Sequence, residues 1–156
     1  MSATSSLASS LALDIYPPRP PLETEGPPLA VLLLQGVGID KAEYAGIAAE
    51  LSRQHLWVVV PNCFPAGRDY VCPEGGSVAG ALASPETARF GDLVEALRSG
   101  LVLFGHSAGG IAAFEALRAR SPKLPTKPVA IATYGSNALF DPGVDPPLPP
   151  VLMLSG

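Results

Sequence analysis

A chain of 156 residues, 47% hydrophobic and only 15% charged, has the length of a single domain and enough apolar material for a sheet buried on both faces. Its net charge of −4 argues against nucleic acid as a main partner. No apolar run nears the ~20 residues that a membrane-spanning helix requires.

Residues 1–10 are rich in Ser and Thr but contain no Lys or Arg, so they lack the basic region of a signal peptide and the arginines of a transit peptide. They are expected to form a flexible tail ahead of one domain over residues 11–156. A short edge strand is expected at residues 11–16, followed by a Pro-rich turn over 17–28. Residues 29–35 form a continuous apolar run, which marks a parallel strand covered on both faces. The turn Gly36-Val37-Gly38 follows. Asp40 then starts a helix, with Glu43 as its capping-box partner and Tyr44, Ile47, Ala48 and Leu51 as one apolar stripe.

The next strand is expected at residues 56–61, followed by a long Gly/Pro/Ser-rich segment over 62–84. Ser84 and Pro85 open a second helix, with Phe90, Leu93, Val94 and Leu97 on one face and Gly100 as its stop. Residues 101–104 make a short strand. A third helix runs over 108–120 with Ile111, Phe114 and Leu117 as its stripe. Further strands are expected at 129–134 and 151–154, separated by a Pro-rich loop. Strands alternating with helices imply right-handed crossovers and a mostly parallel, doubly wound sheet in a three-layer α/β domain. The strand at 151–154 is expected beside that at 129–134 as a bare apolar edge, prone to association.

The chemistry concentrates at Gly105-His106-Ser107-Ala108-Gly109. A G-x-S-x-G string is weak alone, but here it lies between a strand and a helix, the setting of a nucleophile elbow. Bulkier residues at 105 and 109 would collide with neighbouring backbone. The following helix aims its N–H groups and positive dipole end at the serine, which suits a developing oxyanion. Ser107 is therefore the expected catalytic nucleophile. The N–H of Val37, at the end of the first parallel strand, and that of Ala108 are the expected oxyanion donors. No G-x-G-x-x-G or Walker pattern follows the first parallel strand, which weakens a nucleotide-binding reading.

These segments resemble the α/β-hydrolase superfamily over nearly the whole chain. Within it they are similar to the chlorophyllase and dienelactone-hydrolase-like branch, including lipase/cutinase-type relatives. The resemblance rests on Asp14-Ile15-Tyr16-Pro17-Pro18, on residues 32–38, on residues 58–62 and on residues 105–110. It departs at Gln35-Gly36, where members usually carry His-Gly. The resemblance implies a serine ester hydrolase that needs neither metal nor organic cofactor and acts on a small-molecule ester. The apolar residues of the 62–84 segment (Phe64, Tyr70, Val71, Val78, Leu82) lean toward a lipophilic one.

A serine needs a base and the base an orienting carboxylate, in this family in the order Ser, acid, His. No histidine follows Ser107. His106 adjoins the serine on a turn where neighbouring side chains point apart, and His55 lies at the opposite end of the sheet, so both read as structural. Asp141 and Asp145, in the loop after the 129–134 strand, are the candidate acids, but they read rather as turn residues beside prolines. The sheet is thus expected to be incomplete at the C-terminus and this chain inactive as it stands. The competing reading is a non-catalytic scaffold of the same fold, and a sequence continuing beyond Gly156 with an aspartate and then a histidine would decide against it. Cys63 and Cys72 are expected to be free thiols. The compartment stays open between cytoplasm and plastid.

Overall fold

The computed structural model describes residues 13–19, 28–61, 82–83, 85–118, 124, 126–136 and 147–155. The tail over 1–10, most of the 62–84 segment with Cys63 and Cys72, the cap at Ser84, and Asp141 and Asp145 lie outside these.

Six strands form one sheet: β1 (Leu13–Tyr16), β2 (Ala30–Leu34), β3 (Trp57–Pro61), β4 (Leu101–His106), β5 (Pro128–Tyr134) and β6 (Val151–Leu154). Their spatial order is β1-β3-β2-β4-β5-β6. Only β1 runs antiparallel, against β3; every other pairing is parallel. The chain goes from β2 outward to β3 and then returns past β2 to β4. The winding direction therefore reverses between β2 and β4, and the carboxyl ends of these two strands flank a topological switch point.

The continuous apolar runs are explained by burial on both faces. Ala30, Leu32 and Leu34 of β2 join Trp57, Val59, Leu101 and Leu103 in one core cluster. It is covered by α3 (Gly91–Ser99) and α4 (Ala108–Arg118). Val31 and Leu33 point the other way, with Val58, Val60, Tyr44 and Ala48, toward α1 (Ala45–Arg53). The expected three-layer α/β architecture is present, and no helix among the described residues is long and apolar enough to cross a membrane.

Four local expectations need correction. The helix expected from Asp40 opens instead as a 3-10 turn, Lys41–Tyr44, before α1 begins. Asp40 caps it by accepting from the Ala42 N–H at 2.8 Å, but the Glu43 carboxylate has no bond back among the described residues, so the capping box is half made. Ile47 is exposed rather than part of the core stripe, because no described element covers the sheet beside that side of α1. The second helix is two: α2 (Pro85–Ala88) and α3, broken where Phe90 is extended and its ring leans on Trp57. In α4, Ile111 is exposed and the buried face is small: Gly109, Ala112, Ala113 and Ala116, with Phe114 the exception. Small residues let α4 sit close on the sheet, so its true stripe contains few of the large residues that periodicity weighs most.

His55 follows α1 with φ +62, a left-handed conformation that costs an L-residue roughly 1–2 kcal/mol. It lies just before β3, whose Trp57 is in register with Ala30 and Leu101, at the sheet's amino edge. Ser107 lies past the other end of β4, roughly 17 Å away at ~3.3 Å per residue. Exchanging His55 for glycine is expected to raise stability by about 0.5–1 kcal/mol, strain relief exceeding the added freedom of the unfolded chain. A urea-unfolding midpoint would check it.

Candidate functional site

The local backbone at Ser107 follows from what its neighbours lack. A Cβ on Gly105 would fall inside 3.0 Å of the backbone of Gly109 and Gly110; one on Gly109 would strike the Leu34 and Gln35 carbonyls. Strand β4 and helix α4 can therefore meet across a turn of one residue. Ser107 is that residue, with φ +52. This is the strained strand-to-helix turn predicted from the glycine spacing. Its N–H donates to the Tyr134 carbonyl at 2.8 Å, and its own carbonyl accepts from the Gly110 N–H at 3.0 Å. The side chain is half-buried, and its hydroxyl has no hydrogen-bond partner among the described residues.

Ala108 opens α4, so its N–H lies at the helix N-terminus. Val37 lies on the turn after β2, 62% exposed, and its N–H has no hydrogen-bond partner among the described residues. Leu34 is in register with Gly105, and Gly109 abuts Leu34 and Gln35. Ser107, Ala108 and the Val37 turn thus share the carboxyl edge of the sheet at the switch point.

Neither histidine is brought to Ser107 as a partner. His55 is at the other edge. Alternation along β4 turns His106 to the α1 face, where its Nδ1 lies 2.7 Å from the Tyr44 hydroxyl and its ring stacks on Tyr134. Tyr44 is the residue that sequence reasoning placed only in a core stripe. Its hydroxyl accepts the buried Gly36 N–H at 2.8 Å. The pairing with His106 spans 62 positions, and no local signal announces it.

Burial pushes the Tyr44 phenol above the ordinary tyrosine value of about 10, partly offset by the Gly36 N–H, which favours the ionised form. The fold therefore holds this proton more tightly than the unfolded chain does. Its contribution to stability is complete below about pH 10 and is lost as pH rises through the folded-state value. In Tyr44→Phe that alkaline loss is expected to shrink, as urea titrations between neutral and strongly alkaline pH would show.

A groove of about 420 Å³ opens on the α1 side, lined by Ile39, Ile47, Phe104, His106, Tyr134 and Leu154 among others, and not by Ser107. Among the described residues no three His, Cys, Asp or Glu side chains gather as a metal site.

A mostly parallel six-stranded sheet with helices on both faces and a serine on the turn after its central β4 is an α/β-hydrolase-type fold. Solved structures similar to the chain include esterases and a lipase-esterase related protein. A thermophilic esterase from Thermogutta terrifontis is 23% identical with a TM-score of 0.51, over 85% of this chain and 43% of that one. Esterase 2 of the same organism, phosphorylated by paraoxon, is 15% identical with a TM-score of 0.59, over 90% and 63%. A lipase-esterase related protein from Clostridium acetobutylicum is 12% identical with a TM-score of 0.53, over 86% and 50%. The chain thus spans about two-fifths to under two-thirds of the length of these proteins. No protein-family model and no curated protein matches it.

Proposed function

We propose that the chain carries the nucleophile half of a serine ester hydrolase. The observation that carries this reading is the left-handed Ser107, held at the switch point between two glycines that admit no side chain. The Ser107 oxygen attacks the ester carbonyl, its proton passing to a base. The carbonyl oxygen becomes an oxyanion that accepts from the N–H groups of Val37 and Ala108. Collapse expels the alcohol and leaves an acyl-enzyme, which water hydrolyses. The substrate is a small ester, of lipophilic character if the apolar 62–84 segment faces it; the resemblance to chlorophyllases and dienelactone hydrolases belongs to this reading. The base is neither His55, at the far edge, nor His106, whose ring serves Tyr44.

That last point favours a second reading, a hydrolase-fold scaffold without chemistry. Paraoxon separates the two. With imidazole added as the base, the catalytic reading expects one diethylphosphoryl group on Ser107 by peptide mass spectrometry, absent from Ser107→Ala. A wild-type chain as inert as the variant would favour the scaffold.

A further inference from the structure

The turn after β2 is closed on itself by one long backbone bond, from the Ile39 N–H to the Gly36 carbonyl at 3.3 Å. Val37 is largely exposed, Gly38 has φ +74, and a Cβ on Gly38 would meet nothing within 4 Å. Yet the oxyanion role proposed for Val37 needs its N–H placed within about 2.7–3.1 Å of a developing charge. A side chain ties this turn at Gly36, whose N–H donates to the Tyr44 hydroxyl at 2.8 Å. That hydroxyl also meets His106 Nδ1 at 2.7 Å. With the neutral imidazole presenting Nδ1 as acceptor, the Tyr44 proton completes a chain from Gly36 to His106.

The chain continues to the serine. The His106 ring stacks on Tyr134 with centroids 5.5 Å apart. The Tyr134 carbonyl takes the Ser107 N–H at 2.8 Å. Gly36 also packs directly on His106: a Cβ there would come within 2.9 Å of Nδ1. Tyr44 is buried, and its own backbone is held by the 3-10 turn that Asp40 caps. Lys41 of that turn pairs with Asp14 of β1.

We infer that Tyr44 and His106 are positioning residues that set the Gly36-Val37-Gly38 turn against Ser107. They touch no reacting atom. They fix the distance between the two halves of the site through side chains, which the turn's own Ile39–Gly36 backbone bond does not do, since it ties the turn only to itself. Because Tyr44 occupies the Gly36 N–H, the tie also leaves Val37 as the amide to serve the oxyanion. The inference rests on the reading of Ser107 as nucleophile and Val37 as donor.

The test follows Ser107-dependent reaction with a p-nitrophenyl ester and with paraoxon, alongside amide exchange at Gly36 and Val37. A misplacement near 1 Å can cost ~10²-fold, so Tyr44→Phe is expected to lower kcat by about tenfold or more with KM little changed. Exchange at Gly36 and Val37 should rise while that of Leu103 stays put. His106→Leu should behave alike, and the double variant should lose no more than either single one. His106→Asn, whose Oδ1 can stand where Nδ1 does, should recover most of the rate. Urea unfolding identifies any variant that has merely lost its fold, and His106→Asn keeps the test decisive if Tyr44→Phe is such a case. Unchanged exchange, or raised exchange with unchanged kcat, overturns the inference. A wild-type chain no more reactive than Ser107→Ala overturns the Ser107 reading and with it the catalytic purpose of the tie; unchanged exchange in a reactive protein overturns the tie alone.

Discussion

Gly109→Ala is expected to destabilise the chain by about 3–5 kcal/mol, a large part of what a domain of this size possesses. The added methyl would meet the Leu34 carbonyl, at the end of a strand paired on both sides, and the Gln35 oxygen just beyond it. Overpacking against a movable side chain costs ~1–3 kcal/mol; here nothing movable stands in the way, and either α4 lifts or β2 shifts. Two comparisons isolate the cause. In Gly110→Ala the new methyl meets the Ser136 Oγ and Cβ, so relief requires Ser136 to shift just beyond the end of β5 rather than a central strand to move, and the loss should be smaller. In Gly46→Ala, within α1, the methyl meets nothing within 4 Å, and helix propensity should add about 0.5 kcal/mol. Urea midpoints for the three variants would rank them, and equal losses at 109 and 110 would contradict the close-approach explanation.

The second large effect concerns rate. Both histidines of the chain are engaged elsewhere or distant, so on the proposed reading the Ser107 hydroxyl is expected to attack slowly at neutral pH. Oxyanion donors and binding alone leave ~10³–10⁴-fold over water, and an activated p-nitrophenyl ester should react on that scale. A positioned general base is worth ~10²–10⁴-fold, and imidazole added to the buffer should recover part of it. After subtraction of the reaction of imidazole alone with the ester, the expected result is a rate that rises with imidazole concentration in the wild-type chain and not in Ser107→Ala. Fast turnover without imidazole, abolished by Ser107→Ala, would show that some residue here already supplies the base.

What could be read in advance follows the range of the interactions. β2, β3, β5 and β6 were legible because strands buried or flanked by turns leave unbroken apolar runs, and β6 has the expected bounds, Val151–Leu154. The Ser107 turn was legible because its geometry is enforced by glycines two positions either side. The break at Phe90 was not, since the apolar spacing continues through it and the ring it packs on, that of Trp57, lies more than thirty positions away. Periodicity also misplaced Ile47 and Ile111: it reports which residues share a helix face and is silent on whether that face meets the sheet. Tyr44 carries the same lesson into the site. Its apolar ring fits the stripe, and only the fold shows that its hydroxyl faces Gly36 and His106.

The unequal cover on the sheet's two flanks has a thermal consequence. β2 and β3 are sealed on both faces, whereas all four residues of β6 are exposed and Leu154 is held by the Gly135 N–H at 3.0 Å. Heat should loosen this flank first, well before the β2–β3 centre melts. Fraying there reaches Tyr134, which pairs with Leu154 and carries the Ser107 N–H on its carbonyl. The serine's N–H is thus anchored one strand in from an exposed strand, and on the proposed reading its reactivity should decay at temperatures where most of the molecule is still folded.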